Sequence, residues 1–141
     1  MGTEDGANVE IHQLVGDDNI YIFGKSSDEV IKLYETSGYC SRKIYESDSL
    51  VEELVDFIIS KKMILTGDPV NLGRLYKELV SKDWFMTLLD LKEYIAVKEQ
   101  MLEDYKDRKS WTGKMLANIA RAGFFSSDRT IEEYSRGIWG I

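Results

Sequence analysis

The C-terminal stretch WTGKMLANIARAGFFSSDRTIEEY, residues 111–134, predicts two helices joined by a tight break, and the rest of the chain is organised around it. Apolar residues recur at helical spacing in its first half, which predicts an amphipathic helix with a stripe formed by Trp111, Met115, Ile119 and Ala122. Gly123 follows this stripe. A glycine just past the last periodic residue can take the left-handed conformation that closes a helix, so we expect the first helix to end there.

The second helix is predicted to start directly after this break. Ser127 or Asp128 can accept backbone N–H bonds as its N-cap, and Thr130 with Glu133 offers an alternative capping box. Apolar residues then repeat at helical spacing, at Ile131, Tyr134 and Ile138. Because caps and apolar stripes are what folding alone requires, the stretch predicts structural helices and no catalytic centre.

The composition indicates one globular domain. At 141 residues the chain fits the usual prior of about 100 to 200 residues per domain. Its 25 acidic residues against 18 basic ones give a net charge of −7, and this average field repels nucleic-acid phosphates and anionic membranes. Cys40 is the only cysteine, which excludes an internal disulfide, and the N-terminus carries no secretion signal pattern. We therefore expect a cytoplasmic protein with no nucleic-acid or membrane partner.

One segment has clear strand character. Residues 19–23, NIYIF, are mostly β-branched or aromatic and lie between two aspartates and a glycine, which suits a strand covered on both faces. Such a strand needs a sheet around it, and the sequence contains no second run of comparable β character. Either the strand pairs with something short near Gly2 and Thr3, or its sheet lies elsewhere.

The remainder of the chain is predicted to be helical. Capping residues and glycine or proline boundaries delimit the helices. We expect helices from Ala7 to a stop at Gly16, from the capping box Ser26–Glu29 to Gly38, a short turn over Ser41–Ser47, one capped by Ser47, Asp48 or Ser49, one starting near Pro69, and one over Asp90–Tyr105.

Few residues offer catalytic or metal chemistry. His12 is the only histidine, so a histidine-based metal cluster is excluded, and a lone histidine in a helix is more often a surface or partly packed residue. Cys40 and the serines have no second histidine to choose from as an activating base. The acidic pairs Glu52-Glu53 and Glu132-Glu133 point in different directions on a helix and indicate solvated faces rather than catalytic dyads.

Three further patterns suit ligands in principle. Asp17-Asp18-Asn19 places acidic residues in a turn but lacks the calcium-loop pattern. Residues 2–10, GTEDGANVE, place a loop before a helix N-terminus, where anions can bind backbone N–H groups, although spacing alone does not specify such a site. Tyr94, Trp111 and Trp139 could stack on sugars, although their helical spacing favours core packing. The sequence therefore predicts no catalytic, cofactor-binding or metal-binding residue.

The chain resembles the α-glucan phosphorylases, the family of glycogen, starch and maltodextrin phosphorylases. The segments GTEDGANVE (residues 2–10) and NIYIFG (residues 19–24) are similar to the family's Gly-Thr-x-Asp-Gly-Ala-Asn-Val-Glu segment and the strand that follows it. Further landmarks along the whole chain are Gly38-Tyr39, Asp83-x-Phe85 with Asp90 and Tyr94, Trp111-Thr112, residues 118–120, Gly123, residues 125–131, Tyr134 and Ile138-Trp139. Departures from the family pattern are residues 61–65, Trp84, Gly113 and Gly137.

The resemblance implies a C-terminal fragment of a much longer enzyme. Family members use pyridoxal 5′-phosphate to cleave α-1,4-glucans with inorganic phosphate, giving glucose 1-phosphate. Their cofactor lysine lies in a Glu-Ala-Ser-Gly-Thr-Gly-Asn-Met-Lys-Phe run upstream of the segment that matches Gly2, and that run is absent here. We therefore expect the parent to use pyridoxal phosphate and the fragment to bind none and to be inactive. Its partners would be the remainder of the phosphorylase chain and, in the parent alone, glucan and phosphate.

The resemblance also implies the fold class. The chain would be α/β but predominantly helical, a single partial domain over residues 1–141 from the C-terminal part of a Rossmann-like glycosyltransferase-B domain. It would hold one or two short strands followed by a helical tail, and its final helix would normally brace a surface that this chain lacks. We expect self-association of the fragment as a result. The alternative is a stand-alone helical protein-interaction module derived from the phosphorylase tail.

Overall fold

A computed structural model describes residues 1–140 and shows a predominantly helical chain. Its α-helices are, in chain order, α1 Gly6–Val15, α2 Ser27–Glu35, α3 Ser41–Ser47, α4 Ser49–Phe57, α5 Lys61–Ile64, α6 Pro69–Ser81, α7 Thr87–Asp104, α8 Arg108–Arg121 and α9 Ser127–Tyr134. Short 3₁₀ turns cover Asp17–Asn19 and Ala122–Phe125, and a π-helical turn covers Ser135–Trp139.

The chain forms two compact units. The central unit is the continuous segment Ile22–Glu99, and the terminal unit joins Met1–Tyr21 to Gln100–Ile141. Helix α7 runs from the central segment into the terminal one. Each unit has its own packing.

The central unit has a small apolar core. Val51 and Val55 of α4, Val80 of α6 and Leu88 of α7 are its buried members. Partly buried side chains surround them, namely Ile44, Tyr45, Tyr76, Leu79 and Leu91. Burial of an aliphatic side chain of this size is worth about 1.5–3 kcal/mol, so these few contacts carry much of the stability of the unit. The core explains why α4, α6 and α7 pack together.

The terminal unit has no fully buried side chain among its described residues. Helices α1 and α8 pack against each other, and three aromatic rings of the unit also contact one another. Trp111 stacks on Tyr21 with ring centroids 6.2 Å apart and meets the edge of Tyr105 at 5.0 Å. These rings keep the unit together without forming a closed core.

The predicted strand over residues 19–23 is absent, and no strand occurs in residues 1–140. Asp17–Asn19 instead form a 3₁₀ turn, and the Asn19 side chain donates to the carbonyl of Val15 at 2.9 Å. Ile20 is extended, and the N–H of Gly2 donates to the carbonyl of Tyr21 at 3.0 Å. One pairing to the Gly2 segment, as the first alternative anticipated, does not make a ladder, so the extended backbone does not become a regular strand.

Several predicted helix boundaries are confirmed. Helix α1 ends at Gly16, whose φ of 76° needs a glycine. Ser26 and Glu29 form the expected reciprocal capping box at α2, and Pro69 lies in the first turn of α6. Asp48 caps α4 by accepting from the N–H groups of Leu50 and Val51. These local signals were sufficient because each cap satisfies donors within three residues of itself.

Other helix ends differ from the predictions. Gly123 is not in the left-handed region, because α8 tightens into the 3₁₀ turn Ala122–Phe125 and the chain then leaves it at Ser126. Ser126, rather than Ser127 or Asp128, caps α9 through the N–H of Arg129. The capping box predicted from Thr130 and Glu133 is not formed, since Thr130 lies inside α9 and Glu133 pairs with Arg129.

The end of α2 also differs. The helix stops at Glu35, and Ser37 rather than Gly38 takes the left-handed conformation, with φ 49°. The N–H of Gly38 then donates to the carbonyl of Leu33 at 2.9 Å. The helix therefore ends close to Gly38, as predicted, but the residue with the left-handed conformation is one position earlier.

Candidate functional site

The N-terminal turn of the terminal unit lies directly before helix α1 and belongs to the segment, residues 2–10, that was considered for anion binding. Asp5 is the N-cap residue of α1 and makes no side-chain cap bond, and its own N–H donates to the carbonyl of Thr3 at 2.9 Å. Gly6 follows with φ 45°. The side chain of Asn8 lies against Gly2, where an added Cβ would fall 2.4 Å from the Asn8 amide nitrogen. A side chain at position 2 would therefore have to displace the Asn8 amide.

A half-open cavity of about 470 Å³ lies beside this turn within the terminal unit. The amide side chains Asn8, Asn19 and Asn118 line it together with the rings of Tyr21 and Trp111. Aromatic faces next to amide groups suit a ligand with both apolar and hydroxyl surface. This cavity is the candidate functional site of the described residues.

Two polar side chains of the cavity, Asn118 and Lys114, already donate to backbone carbonyls. The amide nitrogen of Asn118 donates to the carbonyls of Asn19 and Lys114, at 2.8 and 2.9 Å. The ammonium of Lys114 donates to the carbonyl of Asp18 and lies 5.4 Å from the centre of the Tyr21 ring. These bonds hold the walls of the cavity in one arrangement.

Tyr21 and Asp104 form the titratable pair at this site. The phenol of Tyr21 donates to the Asp104 carboxylate at 2.7 Å. Burial, followed by this bond, raises the pKa of Tyr21 to about 12. The same bond, together with one from Gln100, lowers the pKa of Asp104. Around neutral pH the phenol is therefore a hydrogen-bond donor and the carboxylate stays ionised, which suits binding rather than proton transfer.

His12 lies outside the cavity on the same unit. Its ring is half-buried, and each of its nitrogens contacts a carboxylate, Glu4 at 2.8 Å and Asp17 at 2.7 Å. These two bonds raise the pKa of His12. The prediction of a partly packed surface histidine is confirmed, and the contacts with Glu4 and Asp17 were not foreseen.

The remaining candidates are exposed, paired with arginines or packed on other rings. Cys40 is exposed at the N-cap of α3, and Glu52 and Glu53 are exposed on α4. Glu132 and Glu133 each pair with an arginine of the same helical segment, Arg136 and Arg129. Tyr94 meets the edge of Phe23 at 5.2 Å, and Trp139 meets Tyr134 at 6.2 Å. Within residues 1–140 the structure shows no cluster of side chains that would hold a metal ion.

A buried polar network in the central unit was not predicted. The Asp83 carboxylate is buried and accepts from the N–H groups of Thr87 and Leu88, at 2.9 and 2.8 Å, and from the phenol of Tyr39. Burial, and then this bond, raises the pKa of Tyr39. Asp83 and Met86 both have positive φ, 40° and 54°. The two sequence landmarks Gly38-Tyr39 and Asp83-x-Phe85 therefore meet, a pairing that no local pattern reveals.

The described helices offer no bilayer span, since none of them combines sufficient length with sufficient apolar character.

Comparison with known proteins places the chain in a family. A family profile described as carbohydrate phosphorylase matches residues 1–141. The chain is 55% identical over 141 residues to the maltodextrin phosphorylase of Streptococcus pneumoniae, covering all of this chain and 19% of that protein. It is 39% identical to the glycogen phosphorylase of Bacillus subtilis and 40% identical to that of Haemophilus influenzae, again over the whole chain, covering 18% and 17% of those proteins.

The chain thus spans less than one fifth of the length of these curated relatives. The match of the family profile to the whole chain confirms the resemblance of the GTEDGANVE segment and of the C-terminal landmarks. The chain belongs to the carbohydrate phosphorylase family.

Proposed function

We propose that this chain acts as the C-terminal segment of a glycogen or maltodextrin phosphorylase, whose whole chain cleaves α-1,4-glucans with inorganic phosphate to give glucose 1-phosphate. The observation that carries the proposal is the 55% identity over the whole chain to a maltodextrin phosphorylase about five times as long. The reducing cytoplasm is the compartment that suits such a segment, with its single exposed cysteine.

The packing of the terminal unit supports a role as part of a larger domain. None of its described side chains is fully buried, and its extended residues at Ile20 and Tyr21 form one backbone bond to Gly2. A Rossmann-like domain would supply the strands that these residues need on either side. In that setting residues 19–23 would become the strand that their composition predicts.

The lysines of this chain do not fit the pyridoxal phosphate that the family implies. A lysine that forms a Schiff base has to lose its proton, which burial away from anions favours. None of the twelve lysines is buried in the described structure. Five of them pair with carboxylates, namely Lys25, Lys82, Lys92, Lys98 and Lys106. The bond to Glu99 raises the pKa of Lys98, the opposite of what the chemistry needs. These surroundings support a proposal in which the cofactor lysine lies in the rest of the enzyme.

The test of this proposal has two parts. Pyridoxal phosphate is added to the chain, Schiff-base absorbance is recorded, and phosphate-dependent release of glucose 1-phosphate from maltodextrin is assayed. We expect neither signal, and either one would overturn the inactivity of the chain alone. The chain is then co-expressed with the S. pneumoniae maltodextrin phosphorylase shortened by the matching residues. Co-purification with restored activity supports the proposal, and the shortened enzyme alone is the control.

A second candidate function is a stand-alone helical interaction module. The exposed apolar side chains Met115, Leu116 and Ile119 on α8 favour it, since they form a surface without a partner in this unit. Affinity capture with this chain distinguishes the two functions. Recovery of a partner other than a phosphorylase segment, lost on Leu116→Glu, would favour the module.

A further inference from the structure

His12 joins three segments of the terminal unit. The imidazole projects from α1 and contacts Glu4 of the N-terminal turn through Nδ1 and Asp17 of the 3₁₀ turn through Nε2. Glu4 and Asp17 lie 8 and 5 residues from it in sequence, before and after α1. One side chain therefore connects the turns at both ends of the helix.

This geometry requires a specific protonation state. Both contacts end on carboxylate oxygens, which accept hydrogen bonds, so both ring nitrogens have to donate. Only the imidazolium carries two N–H groups. The neutral ring keeps one, and its bare nitrogen then faces a carboxylate at hydrogen-bond distance, which is repulsive.

The two contacts differ in their exposure to water. The Asp17 side chain is 96% exposed, whereas that of Glu4 is 40% exposed. Solvent screening weakens the exposed contact more, and the bond to Glu4 is the largest cause of the raised pKa of His12. When His12 loses one proton, the ring therefore keeps the N–H group that donates to Glu4, and the contact with Asp17 breaks first.

The other charged groups nearby do not change this conclusion. On the 3₁₀ turn, the carbonyl of Asp18 accepts from Lys114 of α8, and the side chain of Arg121 of α8 lines a separate cavity with Ile11 and Leu14. Glu10 is the other acidic residue of α1, and Asp5 is its N-cap residue. Glu4 and Asp17 are the charged groups that raise the pKa of His12.

We propose that His12 is a proton-dependent clamp, whose imidazolium links Glu4 of the N-terminal turn and Asp17 of the 3₁₀ turn to helix α1, and whose deprotonation breaks the link to Asp17. Because a histidine with a raised folded-state pKa stabilises the fold only while it is protonated, the clamp is closed at acidic pH. It opens as the pH rises through the folded-state pKa of His12.

The experiment is an NMR titration of the full 141-residue chain, in which the only histidine gives one unambiguous ring signal. We expect a midpoint above the ordinary value of 6.5, lowered by Glu4→Gln and lowered less by Asp17→Asn. Glu10→Gln is the matched control, because it removes one negative charge from α1 without touching the ring. The amide signals of residues 17–19 should move with the same midpoint, and His12→Gln should abolish that movement.

Three results would overturn the clamp. One is a titration midpoint of His12 at or below 6.5 in the unsubstituted 141-residue chain. Another is an equal shift in Glu10→Gln and Glu4→Gln, which would make the effect one of net charge. The third is amide movement at residues 17–19 that persists in His12→Gln.

Discussion

The carboxylate of Asp83 fixes the start of helix α7 by accepting from two backbone N–H groups and from Tyr39. It is 95% buried, so truncation to Ala leaves three donors without their partner. We expect Asp83→Ala to lower the free energy of unfolding by about 1–3 kcal/mol. Urea denaturation measures this change, with the exposed Glu52→Ala as the matched control. Equal midpoints for the two variants would contradict the prediction.

The hydrogen bond from the Tyr21 hydroxyl to Asp104 should contribute to stability in a pH-dependent way. A carboxylate with a lowered folded-state pKa adds stability at pH values above its unfolded value of about 3.9, and this contribution is lost as the pH falls through the folded-state pKa. Tyr21→Phe removes the first cause of the lowering. We therefore expect the pKa of Asp104 to rise, and the stability deficit of the variant to be present at neutral pH and to shrink in acid.

Carboxyl NMR titration and urea denaturation at several pH values test this second prediction. Tyr105→Phe is the control, since it removes a phenol from a neighbouring ring that packs on the same Trp111. A deficit that stays constant from neutral to acidic pH would show that the Tyr21 hydroxyl acts through packing instead.

Single-residue roles were predictable from the sequence only where they depend on near neighbours. Residue counts alone exclude a metal site built from two or more histidines around His12. Its contacts with Glu4 and Asp17 require the turns at both ends of α1 to fold back towards the ring. The bond from Tyr39 to Asp83 spans 44 residues, and only the tertiary fold brings the two together.

At the level of helices, one glycine within α8 and one before α2 should respond in opposite ways to substitution by alanine. The measured quantity is the stability of the chain. Gly113 lies inside α8, its φ is not positive, and an added Cβ would meet open space. Gly113→Ala should therefore stabilise the chain by about 0.5–1 kcal/mol. Gly24 has φ 88°, and a Cβ there would lie 2.8 Å from Asp90, so Gly24→Ala should destabilise. Thermal unfolding of both variants checks this contrast, and the same sign for both would contradict it.

Helices were easier to predict than the strand for a physical reason. Each helix satisfies its backbone within four residues, so the caps at Ser26, Asp48 and Asp68 specify their helices locally. Residues 19–23 have β-forming side chains, but a strand is stable only with partner strands that pair along it. The structure gives this segment one backbone bond to Gly2, and the extended residues stay irregular.

For the whole chain, the uncovered apolar surface predicts self-association. Leu116 and Ile119 of α8 are 61% and 65% exposed, and the described part of the terminal unit has no closed core in which to bury them. Contact between two copies buries such surface, and each Å² of apolar surface removed from water stabilises the contact by roughly 25 cal/mol. We expect light scattering to show a mass that rises with concentration, and Leu116→Glu with Ile119→Glu to reduce it. Ala120→Glu, exposed on the same helix, is the control because it adds one of these charges and removes little apolar surface. A monomer at all concentrations would contradict the prediction, and an equal reduction by Ala120→Glu would assign the effect to net charge.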